Sequence, residues 1–135
     1  MNGTSADLHH QIAAEVALDV QAITTDVTTP GNIIDLNGKL AVDFSIVAGT
    51  LTDGTYTVLL EDGDEANLGD AAPIPAERIL GGALPALSVS DSVERIGFFK
   101  LKRFVRLSLV STGTATGGTI GALAIVNPDL TEPDK

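Results

Sequence analysis

Apolar and polar residues alternate through much of this chain, with the two-residue period of half-buried strands. The pattern is cleanest over 40–47. There Leu40, Val42, Phe44 and Ile46 fall on one face, and Asp43 and Ser45 on the other. Tyr56, Val58 and Leu60 share a face in 55–60, and Val105, Leu107 and Leu109 do so in 104–110. A last strand is predicted over 119–126, with Ile120, Ala122, Ala124 and Val126 on one side. Shorter strands are predicted over 32–36 and 93–101. Residues 12–23 fit two periods. Leu8, Ile12, Val16, Val20 and Ile23 have helical spacing, whereas Ile12, Val16, Leu18 and Val20 lie at even intervals. The Thr-rich continuation through Thr29 favours a strand over at least 18–24.

Turn signals separate these runs. Asn37-Gly38 reads as a hairpin turn, because both residues tolerate positive φ. Pro30-Gly31, Asp53-Gly54 and Asn127-Pro128 mark further breaks. Residues 111–118 are rich in Gly and Thr and read as a flexible loop. Residues 61–92 form a long irregular connection, acidic at first and then rich in Ala, Pro and Gly, with a brief strand at Ile79-Leu80. A connection that long in a small domain is a packed excursion or a functional loop. Seven or eight strands with no helical segment after residue 24 predict an all-β fold, a single β-sandwich of jelly-roll type. The expected division is an N-terminal arm at 1–17, the sandwich at 18–126 and a polar C-terminal tail at 127–135. The polar arm is expected to reach a neighbouring subunit.

Composition narrows the chemistry. The 135 residues suffice for one domain with a modest core. With no Cys, thiol chemistry, disulfides and Cys-based metal sites are excluded. No apolar run approaches the length of a membrane span, and the polar start, Met1 to His10, does not resemble a secretory signal. Synthesis in the cytoplasm follows as the expectation. The net charge is −10, unevenly spread: residues 1–77 carry 13 acidic side chains and one basic one. Such an acidic chain is not expected to bind nucleic acid. Five of the eight basic residues fall between Arg95 and Arg106. They interleave with aromatic residues as Arg95, Phe98, Phe99, Lys100, Lys102, Arg103, Phe104 and Arg106. Arginine with aromatic residues is the chemistry enriched at protein contacts, so these eight are the candidate contact residues.

Other candidates fall away. His9-His10 stands in a polar terminus without a carboxylate cluster. Asp62-Gly63-Asp64-Glu65-Ala66-Asn67 has Ala66 where a calcium loop needs an oxygen ligand, and reads as a solvated acidic turn. The Gly113–Gly118 stretch lacks the Lys-Ser/Thr of a phosphate loop, and no Gly-x-Ser-x-Gly elbow occurs. Neither enzymatic activity nor a cofactor is expected. Sugar sites on β-sandwiches usually offer aromatic platforms, whereas this chain has no Trp and one Tyr.

Several stretches resemble the small capsid decoration, or cement, proteins of tailed phages. They are Ala22-Ile-Thr-Thr-Asp-Val-Thr-Thr-Pro-Gly-Asn-Ile-Ile-Asp35, Thr52-Asp-Gly-Thr-Tyr-Thr57, and Arg95-Ile-Gly97 through Lys102-Arg-Phe-Val-Arg106 to Ser111-Thr-Gly113. Gly117-Gly-Thr-Ile-Gly-Ala122 also fits. Residues 1–17 and the Pro/Ala-rich insert around 71–87 depart from the likeness. So does Phe98-Phe99-Lys100-Leu101, where members often carry Tyr-Val-Gly. The resemblance implies a jelly-roll sandwich on the outer surface of a virion capsid, with the major capsid protein as partner. A homo-oligomer, dimer or trimer, is expected with it. The competing expectation is an adhesion or carbohydrate-binding module of a phage tail or fibre.

Overall fold

The computed structural model describes residues 9–80, 83–98 and 102–128. Its long strands are β1 (Ala13–Ile23), β2 (Thr28–Asp35), β3 (Lys39–Leu51), β4 (Thr55–Gly63), β8 (Ser92–Phe98), β9 (Phe104–Thr112) and β10 (Gly118–Pro128). Three two-residue strands lie in the long connection: β5 (Ala72–Pro73), β6 (Ile79–Leu80) and β7 (Ala86–Leu87). The first sheet has the order β1-β10-β3-β8-β6. The second has the order β2-β9-β4-β5, with β7 also paired to β4. All neighbours are antiparallel.

This order is that of a jelly roll. The chain is a long ribbon doubled back on itself, so that first pairs with last: β1 with β10, β2 with β9, β3 with β8, β4 with β5 and β7. Wrapping the ribbon brings β10 beside β3 and β9 beside β4, and splits the strands into two facing sheets. The inward positions of both sheets make one core. From β3 come Val42, Phe44, Ile46 and Ala48; from β4 Tyr56, Val58 and Leu60; from β9 Val105, Leu107 and Leu109, all buried. Phe44 and Phe98 stack at 6.4 Å between ring centroids.

Three expectations change. The turns at Asn37-Gly38 and Asp53-Gly54 do have positive φ at glycine, 78° and 94°. Asp53-Gly54 is the turn expected, but Asn37-Gly38 does not close the hairpin expected of it; at both places the strands joined lie in different sheets. They are corners of the roll. The neighbouring strands predicted over 93–101 and 104–110 are present but do not pair with each other: β8 belongs to the first sheet and β9 to the second. Residues 12–23 resolve as strand from Ala13, so the sandwich begins five residues before 18, and Ala17 is fully buried. The double periodicity there has a physical cause. Register shifts between Val16 and Leu18, and between Leu18 and Gln21, put Ala17 and Leu18 inward together and leave Val16 and Val20 outward. The rest of the expected arm, 1–8, lies outside the described residues, as does the tail beyond 128. The connection at 61–92 is a packed excursion, anchored by buried Leu68, Ile74, Ile79 and Leu87.

Candidate contact surfaces

The basic stretch does not form one basic face. Arg95 projects from the first sheet, and Arg106 and Arg103 belong to β9 and the turn before it, in the second. Each arginine is met by a carboxylate of its own chain. Arg95 pairs with Asp43 at 2.8 Å across β8 and β3. Arg106 pairs with Glu61, its direct cross-strand neighbour, at 3.2 Å. Arg103 grips Asp35 through both Nε and Nη2, at 2.8 and 2.9 Å, with its guanidinium 4.9 Å from the centroid of the Phe104 ring. That fork, with the Asn37 N–H, holds the Asp35 carboxyl at about 2, and Asp35 in turn raises the Arg103 pKa. Lys102 is half-buried. The carboxyl of Asp70 is held below its ordinary value by the Asp64 N–H first, and to a lesser degree by the charge of Lys102. Phe98 is buried in the core, and Phe104 is buried beside Arg103 outside the core cluster. Phe99 and Lys100 lie outside the described residues.

A second feature gave no sequence signal beyond its turn residues. Loops from three corners are knitted together at one end of the sandwich. The Asp53 carboxylate accepts the backbone N–H groups of Ala115, Thr116 and Gly117, at 3.1, 3.1 and 2.8 Å. Asp26 accepts the Thr114 N–H at 2.8 Å and also the Thr114 hydroxyl. Both carboxyls are pushed below their ordinary value. For Asp26 the chief cause is the Thr114 hydroxyl; for Asp53 it is the Gly117 N–H. The buried Tyr56 hydroxyl donates to the Asp53 carbonyl at 2.9 Å. Ser111 Oγ donates to the Thr25 carbonyl at 2.6 Å and accepts the Val27 N–H at 3.0 Å. The loop 113–117 is therefore clamped, and the expectation of a flexible loop is corrected. Gly117, at φ 88°, is required there: a Cβ would lie 1.9 Å from the Ile23 carbonyl oxygen.

The acidic turn also consumes its own groups. Asp70 accepts the N–H groups of Asp64 and Glu65, and Asn67 accepts that of Gly69. Asp62 turns inward, 3% exposed, and meets Arg78 at 2.8 Å. Among the described residues no group of three or more His, Asp or Glu could hold a metal ion. No helix among them is long and apolar enough to cross a membrane.

The two outer sheet faces differ in chemistry. Pairing registers place Thr57, Val110 and Thr28 side by side on the second sheet, then Leu59, Ser108 and Pro30, then Glu61, Arg106 and Ile33. That face mixes hydroxyls, charges and aliphatic side chains. The first sheet presents Val16, Leu123, Ser45 and Arg95 in one row, and Gly121, Val47 and Val93 in the next. Val20 lies over Gly121. Val16, Val20, Val47, Val93 and Leu123 are 40 to 77% exposed. A groove lined by Ile12, Ala41, Leu80 and Ile125 continues this surface past the Arg95–Asp43 pair.

No family model matches the chain, and no curated protein sequence matches it. Among solved structures it is similar to the crystal structure of the SPBc2 prophage-derived protein YomS. The TM-score is 0.50 and the identity 10%, covering 85% of this chain and 91% of that one. A structure of infectious bursal disease virus, Gx strain, overlaps with a TM-score of 0.49 at 15% identity, covering 91% of this chain and 34% of that one. The likeness to the prophage protein is one of fold.

Proposed function

We propose that the chain is a structural virion protein that decorates the outer surface of a tailed-phage capsid and stabilises it by bridging major capsid protein subunits. One observation carries the reading. Parts of the stretches that resemble the decoration proteins lie far apart in sequence: around Asp26, at 52–57, at 111–113 where the third stretch ends, and at Gly117. They converge on the single knitted end, through Asp26, Asp53, Tyr56 and Ser111. This part of the resemblance is therefore to one three-dimensional unit, while 95–97, and Arg103 with Asp35, lie elsewhere in the sandwich. The jelly roll shared in outline with a prophage-derived protein supports the same reading. Asp26, Asp53, Asp62 and Asp70 and the arginines at 95, 103 and 106 are engaged within the fold, which suits a part that binds and does not react. Many copies, each binding modestly, would add up on a repeating lattice.

The test uses capsids of the phage that encodes the chain, made with and without it. Full particles are expected to withstand heat and osmotic shock that makes particles without it release DNA, and purified protein added back should restore the difference. Identical inactivation curves would refute the proposal. Adhesion to cells or glycans without any effect on particle stability would favour the tail or fibre module.

A further inference from the structure

We infer that the outer face of the first sheet is where two copies of this chain pack against each other, as a two-fold dimer. The inference stands on the asymmetry of the two faces and does not depend on the capsid reading. An antiparallel sheet with one wet face should alternate apolar-in with polar-out. The second sheet approximates that rule and the first does not. Strand β10 runs Ile120-Gly-Ala-Leu-Ala-Ile-Val126, apolar on both faces, which is the composition of a strand covered on both sides. Its outward Leu123 lies between Val16 of β1 and Ser45 of β3, and Val47 lies beside Val93 of β8. Contiguous exposed apolar patches larger than a few hundred Å² are rare on monomeric proteins and mark interaction sites.

The occupant follows from charge and shape. In the outward rows through Asp43, Ser45 and Val47 the charges are Arg95 and Asp43, one of each sign, 2.8 Å apart, with Lys39 at the far end of β3. The chain as a whole carries −10, so two copies meeting through an acidic surface would repel. This face is locally neutral, and a two-fold axis passing beside the Arg95–Asp43 pair would set each arginine against the other copy's carboxylate in an alternating ring of four charges. The shape also suits a copy. Two sheets of the same twist stack in aligned packing, at roughly 30°. Small residues, Gly121 and Ser45, stand beside Leu123 and Val47, so knobs and hollows alternate across the face. A contact of this kind is isologous and closes at two, leaving the second sheet and the knitted end free.

Sedimentation equilibrium of the full chain tests it. The expected mass is twice the 13.9 kDa of one chain. Val47→Asp and, separately, Val93→Asp should give monomers, with circular dichroism of the wild type, because both side chains are half exposed and outside the core. Arg95→Asp and Asp43→Arg should each give monomers, and mixing the two should restore a dimer of one copy of each. A pair acting only within one chain could not produce that restoration. A wild-type monomer across the micromolar range would overturn the inference, as would a trimer. Retention of the dimer in both valine variants, or no association in the mixture, would also overturn it. A monomer whose apolar face is protected only on capsids would assign the face to the capsid protein instead.

Discussion

Replacing Asp62 by Ala should be among the most destabilising single changes outside the apolar core. Asp62 ends the inward row of β4, with its side chain 4% exposed, and Arg78 reaches it from the long connection with its own side chain 17% exposed. The same guanidinium sits 6.0 Å from the centroid of the Phe98 ring. Removing one member of a buried pair leaves the other charge desolvated, typically at about 3–5 kcal/mol. Arg78 keeps some access to water and makes further interactions, which places the loss near the lower figure, about 3 kcal/mol. That is a large share of the ~5–15 kcal/mol that holds an ordinary domain. With a urea dependence of about 1–3 kcal/mol per molar, the midpoint should fall by roughly 1–3 M. Circular dichroism is the suitable probe, since the chain has no Trp. The double variant Asp62→Ala, Arg78→Met should recover much of the loss, because no charge is then stranded, and the cycle should show a coupling of about 2 kcal/mol. Single losses below ~1 kcal/mol that simply add would refute the reasoning. The pair would then behave as an exposed one.

Three further outcomes are expected. Asp53→Asn should speed amide exchange at Ala115, Thr116 and Gly117 while leaving β3 and β4 protected; unchanged exchange there would show that the carboxylate charge does not hold the loop. Asp35 titrates at about 2 rather than at its ordinary 3.8, so its contribution is present above the ordinary value and lost as pH falls through about 2. The stability difference between wild type and Asp35→Asn should therefore be steady at neutral pH, shrink below about pH 4 and vanish near pH 2, and it should stay below ~1 kcal/mol, since both partners are half exposed. Gly117→Ala should lower the melting temperature far more than Gly113→Ala: both have positive φ, at 88° and 68°, but a Cβ at 113 meets nothing within 4 Å, leaving only a backbone strain of about 1–2 kcal/mol.

The strands were legible because burial on one face imposes a period of two, and Val42 to Ala48, Tyr56 to Leu60 and Val105 to Leu109 obey it. Where bulges break the period, as around Ala17 and Leu18, the same physics produced an ambiguous reading. The corner at 37–38 was misread for a different reason. Asn37-Gly38 announces positive φ, but which sheet the next strand joins is decided by β10 and β8, far along the chain. The basic cluster misled in the same way. The carboxylates that neutralise Arg95, Arg103 and Arg106 stand 52, 68 and 45 residues away. Local composition contains the arginines but not their partners. The apolar outer face was visible in principle, since Leu123 and Ile125 interrupt the inward row Ala122, Ala124, Val126 with residues just as apolar.

The proposed role makes this chain a repeating part of a capsid. Its most direct test is the number of copies in purified virions of the encoding phage, counted by quantitative mass spectrometry against the major capsid protein. The account predicts hundreds of copies in a simple ratio to the capsid subunit, released together on mild disruption while the tail stays whole. A handful of copies that fractionate with tails, or none in the virion, would contradict it.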